Sequence, residues 1–197
     1  MELSAQPLTI GVLALQGAFE AHAKTIESLG VTAKLIRTPA GLKDLDGLII
    51  PGGESTTFLK FLERGGFLEA LQACVETIPT FGTCAGCILL AKDVVNPAQK
   101  SLAVLDITVE RNAYGRQIDS TILSAPASLP GGPLEMVFIR APRITRTGPA
   151  VETLASRDGF PVLVRQEHLL AATFHPELSH DLRVHRLFLD LIRNRPH

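Results

Sequence analysis

The sequence lacks the features that mark secreted, membrane-spanning and nucleic-acid-binding proteins. Its 197 residues include three cysteines, an odd number that provides no disulfide framework and favours a reduced, cytoplasmic protein. Its 19 Lys and Arg are balanced by 20 Asp and Glu, so no basic excess is available to neutralise a nucleic acid. The apolar runs are far shorter than the roughly 20 residues that cross a bilayer, and no basic residue precedes the first of them, as a secretory signal would require. We expect neither a nucleic acid nor a membrane as a partner.

The amino-acid composition is that of an ordinary globular protein along the whole sequence. Hydrophobic residues make up 46% of the chain and charged residues 20%, which suits a domain with a sizeable core. The sequence has no linker, internal repeat or low-complexity segment. We therefore predict that residues 1–197 form a single domain.

The first half of the chain alternates short apolar runs with segments of helix length. In one such segment Phe19, Ala23 and Ile26 recur at roughly helical spacing, and Gly30 follows as a stop. This alternation predicts a parallel sheet that is covered by helices on both faces. The predicted strands are residues 8–15, 31–36, 46–50 and 79–81, and the predicted helices are 18–29, 55–65 with Ser55 as a possible N-cap, 67–75 and 85–92.

The second half has a different pattern, in which strands follow one another through turns that contain Pro and Gly. Strands are predicted at 102–110, 118–123, 134–139, 161–166 and 170–174, and a last helix at 181–193. The fold class expected for the chain is therefore α/β, with three layers: a mostly parallel central sheet flanked by helices, plus a small antiparallel extension.

Cys84 lies where a predicted strand passes directly into a helix, in the sequence Gly82-Thr83-Cys84-Ala85-Gly86. Small residues on both sides allow the tight turn of a nucleophile elbow, which lifts one side chain clear of the sheet. The positive end of the following helix favours a thiolate. Its free N–H groups, that of Ala85 first, can also stabilise a developing oxyanion.

Other interpretations of Cys84 remain open at this point. Cys84 and Cys87 form a C-x-x-C pair, which also occurs at strand-to-helix junctions in thiol-disulfide oxidoreductases. A free cysteine is also often a small buried residue. A zinc site needs two more ligands, and His180 and His185 on a presumed surface helix support one only weakly.

A candidate base comes from the far end of the chain. Residues Phe174-His175-Pro176-Glu177 end an apolar strand, and parallel sheets present catalytic groups at such ends. Pro176 favours an extended His175, so that His175 and Glu177 face the same way. A thiol nucleophile needs such a base, and Glu177 would hold its tautomer. The alternative is that Glu177 is an acidic residue near the start of the last helix.

The turn Pro51-Gly52-Gly53-Glu54-Ser55 also follows a predicted strand. Its two glycines let the backbone approach a ligand closely and direct N–H groups at an anion or a tetrahedral oxygen. The alternative is a plain turn that is followed by a helix cap.

These elements in this order resemble the triad, or class I, glutamine amidotransferases, which carry Pro-Gly-Gly, then Gly-x-Cys-x-Gly, then His-Pro-Glu. The resemblance extends over nearly the whole chain and is most specific to the glutaminase subunits of pyridoxal 5′-phosphate synthase. The stretches that carry it are GVLALQG (11–17), PGGEST (51–56), GTCAG (82–86), ERNAYGRQ (110–117), FIRAP (138–142) and FHPEL (174–178).

The resemblance implies a flavodoxin-like fold, a reaction and a set of site residues. Cys84, His175 and Glu177 would be the catalytic triad that hydrolyses the side-chain amide of L-glutamine through a thioester. The N–H groups of Gly53 and Ala85 would form the oxyanion hole. No cofactor or metal is implied. The residues implied to bind L-glutamine are Gly53, Glu54, Ser55, Arg111, Ile139 and Arg140.

The family also implies a partner, because ammonia released to solvent becomes unreactive ammonium. The partner is a (β/α)₈-barrel synthase subunit in a large hetero-oligomer, which makes pyridoxal 5′-phosphate from a pentose phosphate and a triose phosphate. The rival within the class is a glutaminase subunit for another synthase, such as one making imidazole glycerol phosphate. Cys87 departs from the family pattern, which has an apolar residue there, and we expect it to pack in the core.

Overall fold

The computed structural model describes residues 8–113 and 121–195. Within them the helices are α1 (Phe19–Ser28), α2 (Ser55–Leu62), α3 (Phe67–Val75), α4 (Ala85–Leu90) and α5 (Arg183–Arg193). The strands are β1 (Thr9–Leu13), β2 (Thr32–Ile36), β3 (Gly47–Ile50), β4 (Thr80–Thr83), β5 (Ala91–Val95), β6 (Leu105–Glu110), β7 (Thr121–Ala125), β8 (Leu134–Phe138), β9 (Arg143–Thr147), β10 (Glu152–Arg157), β11 (Phe160–Gln166) and β12 (Leu169–Ala172).

The central sheet has seven strands in the order β10-β11-β12-β4-β3-β1-β2. Strands β12, β4, β3, β1 and β2 are parallel, and β11 and β10 extend the sheet in antiparallel fashion. Two small sheets, β5-β6-β9 and β7-β8, lie outside it. The predicted α/β class is confirmed, with a mostly parallel central sheet and small antiparallel additions.

Alternate residues of the central strands face two separate cores, which is the consequence of a sheet buried on both sides. On β3, Leu48 and Ile50 join the core that contains residues of α2, α3 and α4. Ile49, between them, joins the core that contains residues of α1 and α5. The sheet is therefore the middle of three layers. None of the described helices has the length and apolar character needed to cross a lipid bilayer.

The strand order places a topological switch point beside β1. The chain runs from β1 outward to β2, then returns to the other side of β1 as β3. Connections on either side of such a point leave a crevice at the carboxyl ends of the strands. Neighbouring strands β3, β4 and β12 all end at this same edge, because they are parallel.

Three strands of the structure, β5, β9 and β10, were not predicted from the sequence. Helix α4 ends at Leu90, and the chain continues as β5 where the predicted helix ran on to residue 92. Strands β9 and β10 were not predicted, because their sequences RITRT and ETLASR lack the apolar run of a buried strand. Pairing with β6 and β11 fixes them instead. The strand predicted at 118–123 lies partly outside the described residues, where β7 begins at Thr121.

We predict that Gly86→Ala destabilises the fold because a β-carbon at residue 86 would collide with the carbonyl oxygen of Ile50. Overpacking of this kind costs about 1–3 kcal/mol of unfolding free energy. Urea unfolding monitored by circular dichroism measures it. Gly41→Ala is the matched control, because its β-carbon would lie 3.4 Å from the Ile36 side chain, an ordinary contact. Equal midpoints for the two variants would contradict the close approach of α4 to β3.

Candidate active site

A cleft of about 340 Å³ opens at the carboxyl edge of the sheet, beside the switch point. Its size lies within the range of small-molecule sites. The segments that follow β1, β3, β4 and β12 contribute to its walls. The lining residues are Gly17, Ala18, Gly52, Gly53, Glu54, Ser55, Cys84, Ile88, Arg111, Asn112, Ile139, Arg140, His175 and Leu178.

Cys84 forms a strained turn between β4 and α4, as the sequence predicts for an elbow. Its φ of 48° and ψ of −102° are rare for a residue with a β-carbon. The turn is held by a hydrogen bond of 2.8 Å from the Cys84 N–H to the carbonyl of Ala172 on β12. The side chain borders the cleft although the residue is only 7% exposed.

His175 follows β12 and lies beside the thiol. Its backbone N–H donates to Val137 O at 2.8 Å, and its ring and Cβ of Cys84 both border the position that a β-carbon on Gly52 would take. On its other side, Nδ1 is 2.7 Å from Oε1 of Glu177. Glu177 lies in a short 3₁₀ turn, Pro176–Leu178, and helix α5 begins only at Arg183. The alternative of Glu177 as an acidic residue in the first turn of that helix is therefore wrong.

The surroundings favour a charged imidazole on His175 beside the Glu177 carboxylate. Burial lowers the pKa of His175, but hydrogen bonds to Cys84 and Glu177 outweigh this and raise it to about 10. Burial raises the pKa of the Glu177 carboxyl, but the nearby His22 and the hydrogen bond from His175 lower it below its usual range. The group next to the thiol can thus hold and deliver a proton.

Two histidines lie behind the predicted triad: His22, which the sequence analysis did not single out, and His185, which it considered only as a metal ligand. His22 on α1 is fully buried, with Nε2 3.3 Å from Oε2 of Glu177 and 3.1 Å from Oγ1 of Thr83. Its Nδ1 is 3.0 Å from Nε2 of His185 on α5. The available signal was position, because each histidine falls at i+3 or i+4 spacing from apolar residues of its helix.

His180 and His185, which gave weak support for a zinc site, do not form a pair. His185 is fully buried against His22, whereas His180 is exposed and precedes helix α5. In the part of the chain that the structure describes, no group of three or more His, Cys, Asp or Glu is arranged to hold a metal ion.

The glycine turn after β3 packs directly on the triad. A β-carbon at Gly52 would collide with the His175 ring and lie 3.2 Å from Cβ of Cys84. The Gly52 carbonyl accepts a hydrogen bond of 3.2 Å from the N–H of Ala18. Since C=O and N–H point in opposite directions in a trans peptide, the Gly53 N–H points away from Ala18.

Glu54, not Ser55, is the N-cap of α2, which corrects the sequence prediction. Its carboxylate accepts the N–H groups of Thr56 and Thr57 at 3.1 and 2.7 Å. Partial burial raises the pKa of Glu54, but hydrogen bonds from both threonines lower it to about 2. Ser55 is the first residue of the helix, and its hydroxyl donates to Oε1 of Gln99 at 2.9 Å.

The predicted glutamine-binding residues all border the cleft. Arg111 lies with a guanidinium nitrogen 3.7 Å from Oε1 of Glu54. Arg140 follows Ile139 with a φ of 43°, a strained value for a non-glycine residue. Ala85 is buried at the start of α4, and residues 114–117 of the ERNAYGRQ stretch lie outside the described residues.

All three cysteines are unpaired. Cys87 is fully buried in α4, and burial strongly raises the pKa of its thiol. Cys74 is half-buried on α3, and burial raises its pKa as well. A buried thiol that resists ionisation does not suit the exchange chemistry of a C-x-x-C oxidoreductase. The structure therefore favours the expected core role for Cys87.

The comparison with protein families identifies the chain. The profile of the SNO glutamine amidotransferase family matches residues 12–194. The chain belongs to this family.

Curated relatives of this SNO family member include proteins from two bacterial genera. "Pyridoxal 5′-phosphate synthase subunit PdxT" of Koribacter versatilis is 62% identical over 187 residues, which cover 95% of this chain and 97% of the relative. The protein of the same name from Thermotoga neapolitana is 48% identical over 189 residues, 94% of this chain and all of the relative.

Solved structures agree with the SNO family fold. One described as a glutamine amidotransferase superposes with a TM-score of 0.86 at 47% identity, and the match covers 93% of this chain and 98% of that one. A putative GMP synthase subunit from Thermoplasma acidophilum has a TM-score of 0.69 at 17% identity, covering 96% of each chain. The second match supports the fold alone.

We predict that the buried histidines make this family member sensitive to acid. Burial and the nearby His22 lower the pKa of His185 from 6.5 to about 3. Between these two pH values His185 is therefore protonated in the unfolded state and neutral in the folded state. Stability should therefore fall as the pH drops from 6.5 toward 3. In His185→Leu this dependence should be shallower by up to about 1.4 kcal/mol per pH unit.

Urea unfolding at pH 7 and pH 4.5 measures this dependence. His180→Leu, which changes an exposed histidine, should keep the wild-type dependence. The same loss of stability on acidification in wild type and His185→Leu would contradict a neutral, buried His185.

Proposed function

We propose that this chain is the glutaminase subunit of a pyridoxal 5′-phosphate synthase and hydrolyses the side-chain amide of L-glutamine. The observation that carries this proposal is the placing of the strained Cys84 beside His175 in one cleft, with His175 hydrogen-bonded to Glu177. The family match and the printed names of the relatives support it.

In the proposed reaction the sulfur of Cys84 attacks the carboxamide carbon of L-glutamine. The C–N bond breaks as His175 gives its proton to the leaving nitrogen, so ammonia departs and a γ-glutamyl thioester remains on Cys84. His175 then takes a proton from water, which attacks the thioester to release glutamate and restore the thiol. Glu177 acts on the imidazole, holding its orientation and stabilising its charge.

The oxyanion of each tetrahedral intermediate would be stabilised by the N–H groups of Gly53 and Ala85. Ala85 opens α4, where the first N–H groups have no acceptor within the helix. The Gly52 carbonyl is bonded to Ala18, and we propose that the Gly52-Gly53 peptide reorients when the partner docks. Loss of one oxyanion donor typically costs about 10²–10³ in rate.

Glutamine would bind with its amide toward Cys84 and its charged end at the wall of the cleft. We assign its binding to Gly53, Glu54, Ser55, Arg111, Ile139 and Arg140. The Glu54 carboxylate, with its lowered pKa, is an acceptor for the α-ammonium. Arg111 and Arg140 provide guanidinium groups for the α-carboxylate.

The ammonia would pass to a (β/α)₈-barrel synthase subunit in a large hetero-oligomer, where a pentose phosphate and a triose phosphate are joined with it. The relatives are named as subunits of a pyridoxal 5′-phosphate synthase. We further propose that residues 1–197 form one glutaminase domain that works in the cytoplasm without a cofactor or metal.

We predict that Cys84→Ala lowers ammonia release from L-glutamine by at least about 10⁴-fold, since loss of a nucleophile removes covalent catalysis. The rate is measured in the complex with a synthase subunit by a coupled glutamate dehydrogenase assay. Cys87→Ser is the matched control and should keep nearly the wild-type rate. Ammonia release by Cys84→Ala at the wild-type rate would refute the thioester route.

A second prediction concerns the partner. Because the oxyanion hole is proposed to form only on docking, the isolated chain should release ammonia slowly, and a synthase subunit should raise the rate by about the 10²–10³ that one oxyanion donor supplies. Titration of synthase against a fixed amount of this chain measures the rise. Equal rates with and without the partner would overturn the proposed reorientation.

A further inference from the structure

The proposed reaction uses one oxygen of Glu177 and leaves the other to be explained. Oε1 meets His175, while Oε2 is buried and accepts no regular hydrogen bond from the described residues. The backbone N–H of Glu177 itself also interacts with the carboxyl, but the group that faces Oε2 is the His22 imidazole, whose Nε2 lies 3.3 Å away, at ion-pair distance. A buried carboxylate oxygen is costly unless a donor faces it. His22 is the group in a position to be that donor.

The contacts of His22 determine where its proton lies. Burial lowers its pKa, so the imidazole is neutral and carries one N–H. A proton on Nε2 faces both Glu177 Oε2 and the hydroxyl oxygen of Thr83. The opposite tautomer would place a lone pair against the carboxylate, which is repulsive.

The second histidine fixes this assignment. With its proton on Nε2, His22 has a free lone pair at Nδ1, which must accept from Nε2 of His185 at 3.0 Å. The proton of neutral His185 is then on Nε2, and its Nδ1 is a bare lone pair. This nitrogen is indeed buried without a hydrogen-bond partner among the described residues. With the opposite tautomers, the same nitrogen would carry a proton and would be an unpaired N–H.

The groups that face His22 come from four elements. They are Glu177 in the 3₁₀ turn, His175 after β12, His185 on α5 and Thr83 with Phe81 on β4, whose ring meets the imidazole edge-on at 6.1 Å. Of these, the titratable groups are Glu177, His175 and His185. The charge on Glu177 favours a protonated His22, but burial and His175 oppose it.

We propose that His22 is a positioning residue that acts through Glu177, its Nε2–H holding Oε2 while His185 fixes its tautomer. This inference rests on the proposed function only in assigning a role to the triad. The hydrogen-bonded line would then run from Cys84 through His175, Glu177 and His22 to His185, from one face of the sheet edge into the core around α1 and α5.

If the proposal is right, His22 on α1 influences the reactivity of the Cys84 thiol. Without a donor at Oε2, the Glu177 carboxyl takes up a proton or turns away from His175 more readily, and in either state it supports the His175 imidazolium less. The thiolate–imidazolium pair then forms only at higher pH. Alkylation of Cys84 by iodoacetamide, which needs the thiolate, reports this directly.

The test compares two substitutions of His22 in the complex with a synthase subunit. His22→Phe keeps a ring of similar shape and removes the donor, whereas His22→Gln places an amide N–H near the position of Nε2. The rate of Cys84 alkylation is followed from pH 5 to pH 9 by peptide mass spectrometry, which separates Cys84 from Cys74 and Cys87. Ammonia release is measured alongside.

For His22→Phe we expect ammonia release to fall about 10–100-fold, the range typical when the partner of an orienting group is lost. The acid limb of the alkylation profile should move up by about 1 pH unit, which is tenfold in the thiolate population at a given pH. In His22→Gln the rates of ammonia release and of alkylation should stay within about threefold of wild type. This difference is small compared with the tenfold that corresponds to a shift of about 1 pH unit. His168→Gln, which changes a half-buried histidine bonded to Val75 O, is the control and should match wild type.

The proposal would be overturned if the acid limb of the alkylation profile is unshifted in His22→Phe, or if His22→Gln loses as much ammonia release as His22→Phe. Either result would indicate that His22 has only a packing role. Should His22→Phe fail to fold, ¹⁵N NMR of histidine-labelled wild type decides. The proposal requires a neutral His22 protonated at Nε2 from pH 7 to pH 9, and protonation at Nδ1 would refute it. These readouts are independent of Cys84→Ala, whose continued activity would instead refute the proposed function.

Discussion

The contact of Cys84 with His175 and the hydrogen bond of His175 with Glu177 are the interactions on which the rest of the site depends. They exist because β4 and β12 are adjacent and parallel, with Thr83 paired to Ala172. A residue just past the end of one strand therefore meets a residue just past the end of the other, although 91 positions separate them. The pairing of the two strands thus brings residues that are distant in sequence close together. Because the site is buried, the interactions between their polar groups are stronger than they would be in water.

Close packing around this line explains where the chain needs glycine. At Gly52 a β-carbon would enter the His175 ring, and at Gly86 it would enter the Ile50 carbonyl. Helix α4 and the turn after β3 thus approach the triad as closely as backbone allows. The strained φ of Cys84 persists because these neighbours and the bond to Ala172 leave the turn no alternative.

Much of this site was predictable because its signals are local. A glycine-flanked cysteine at a strand end, and a His-x-Glu at another, predict an elbow and a base. The histidines behind them were not, because His22 and His185 meet only once α1 and α5 pack on the same face of the sheet. Similarly, strands β9 and β10 are fixed by pairing rather than by their own sequences. Capping by Glu54 was not predicted, because serine is a preferred N-cap residue whereas glutamate is not, and Ser55 instead begins the helix.

The central claim is that one thiol, activated by His175, attacks the glutamine carboxamide. The most direct measurement is covalent labelling of the complex with a chloroketone analogue of glutamine, followed by peptide mapping. The predicted result is one label per chain, on Cys84, that a His175→Gln variant acquires far more slowly and that excess glutamine prevents. Labelling of Cys87 or Cys74, or equal rates in the presence and absence of the imidazole, would contradict it.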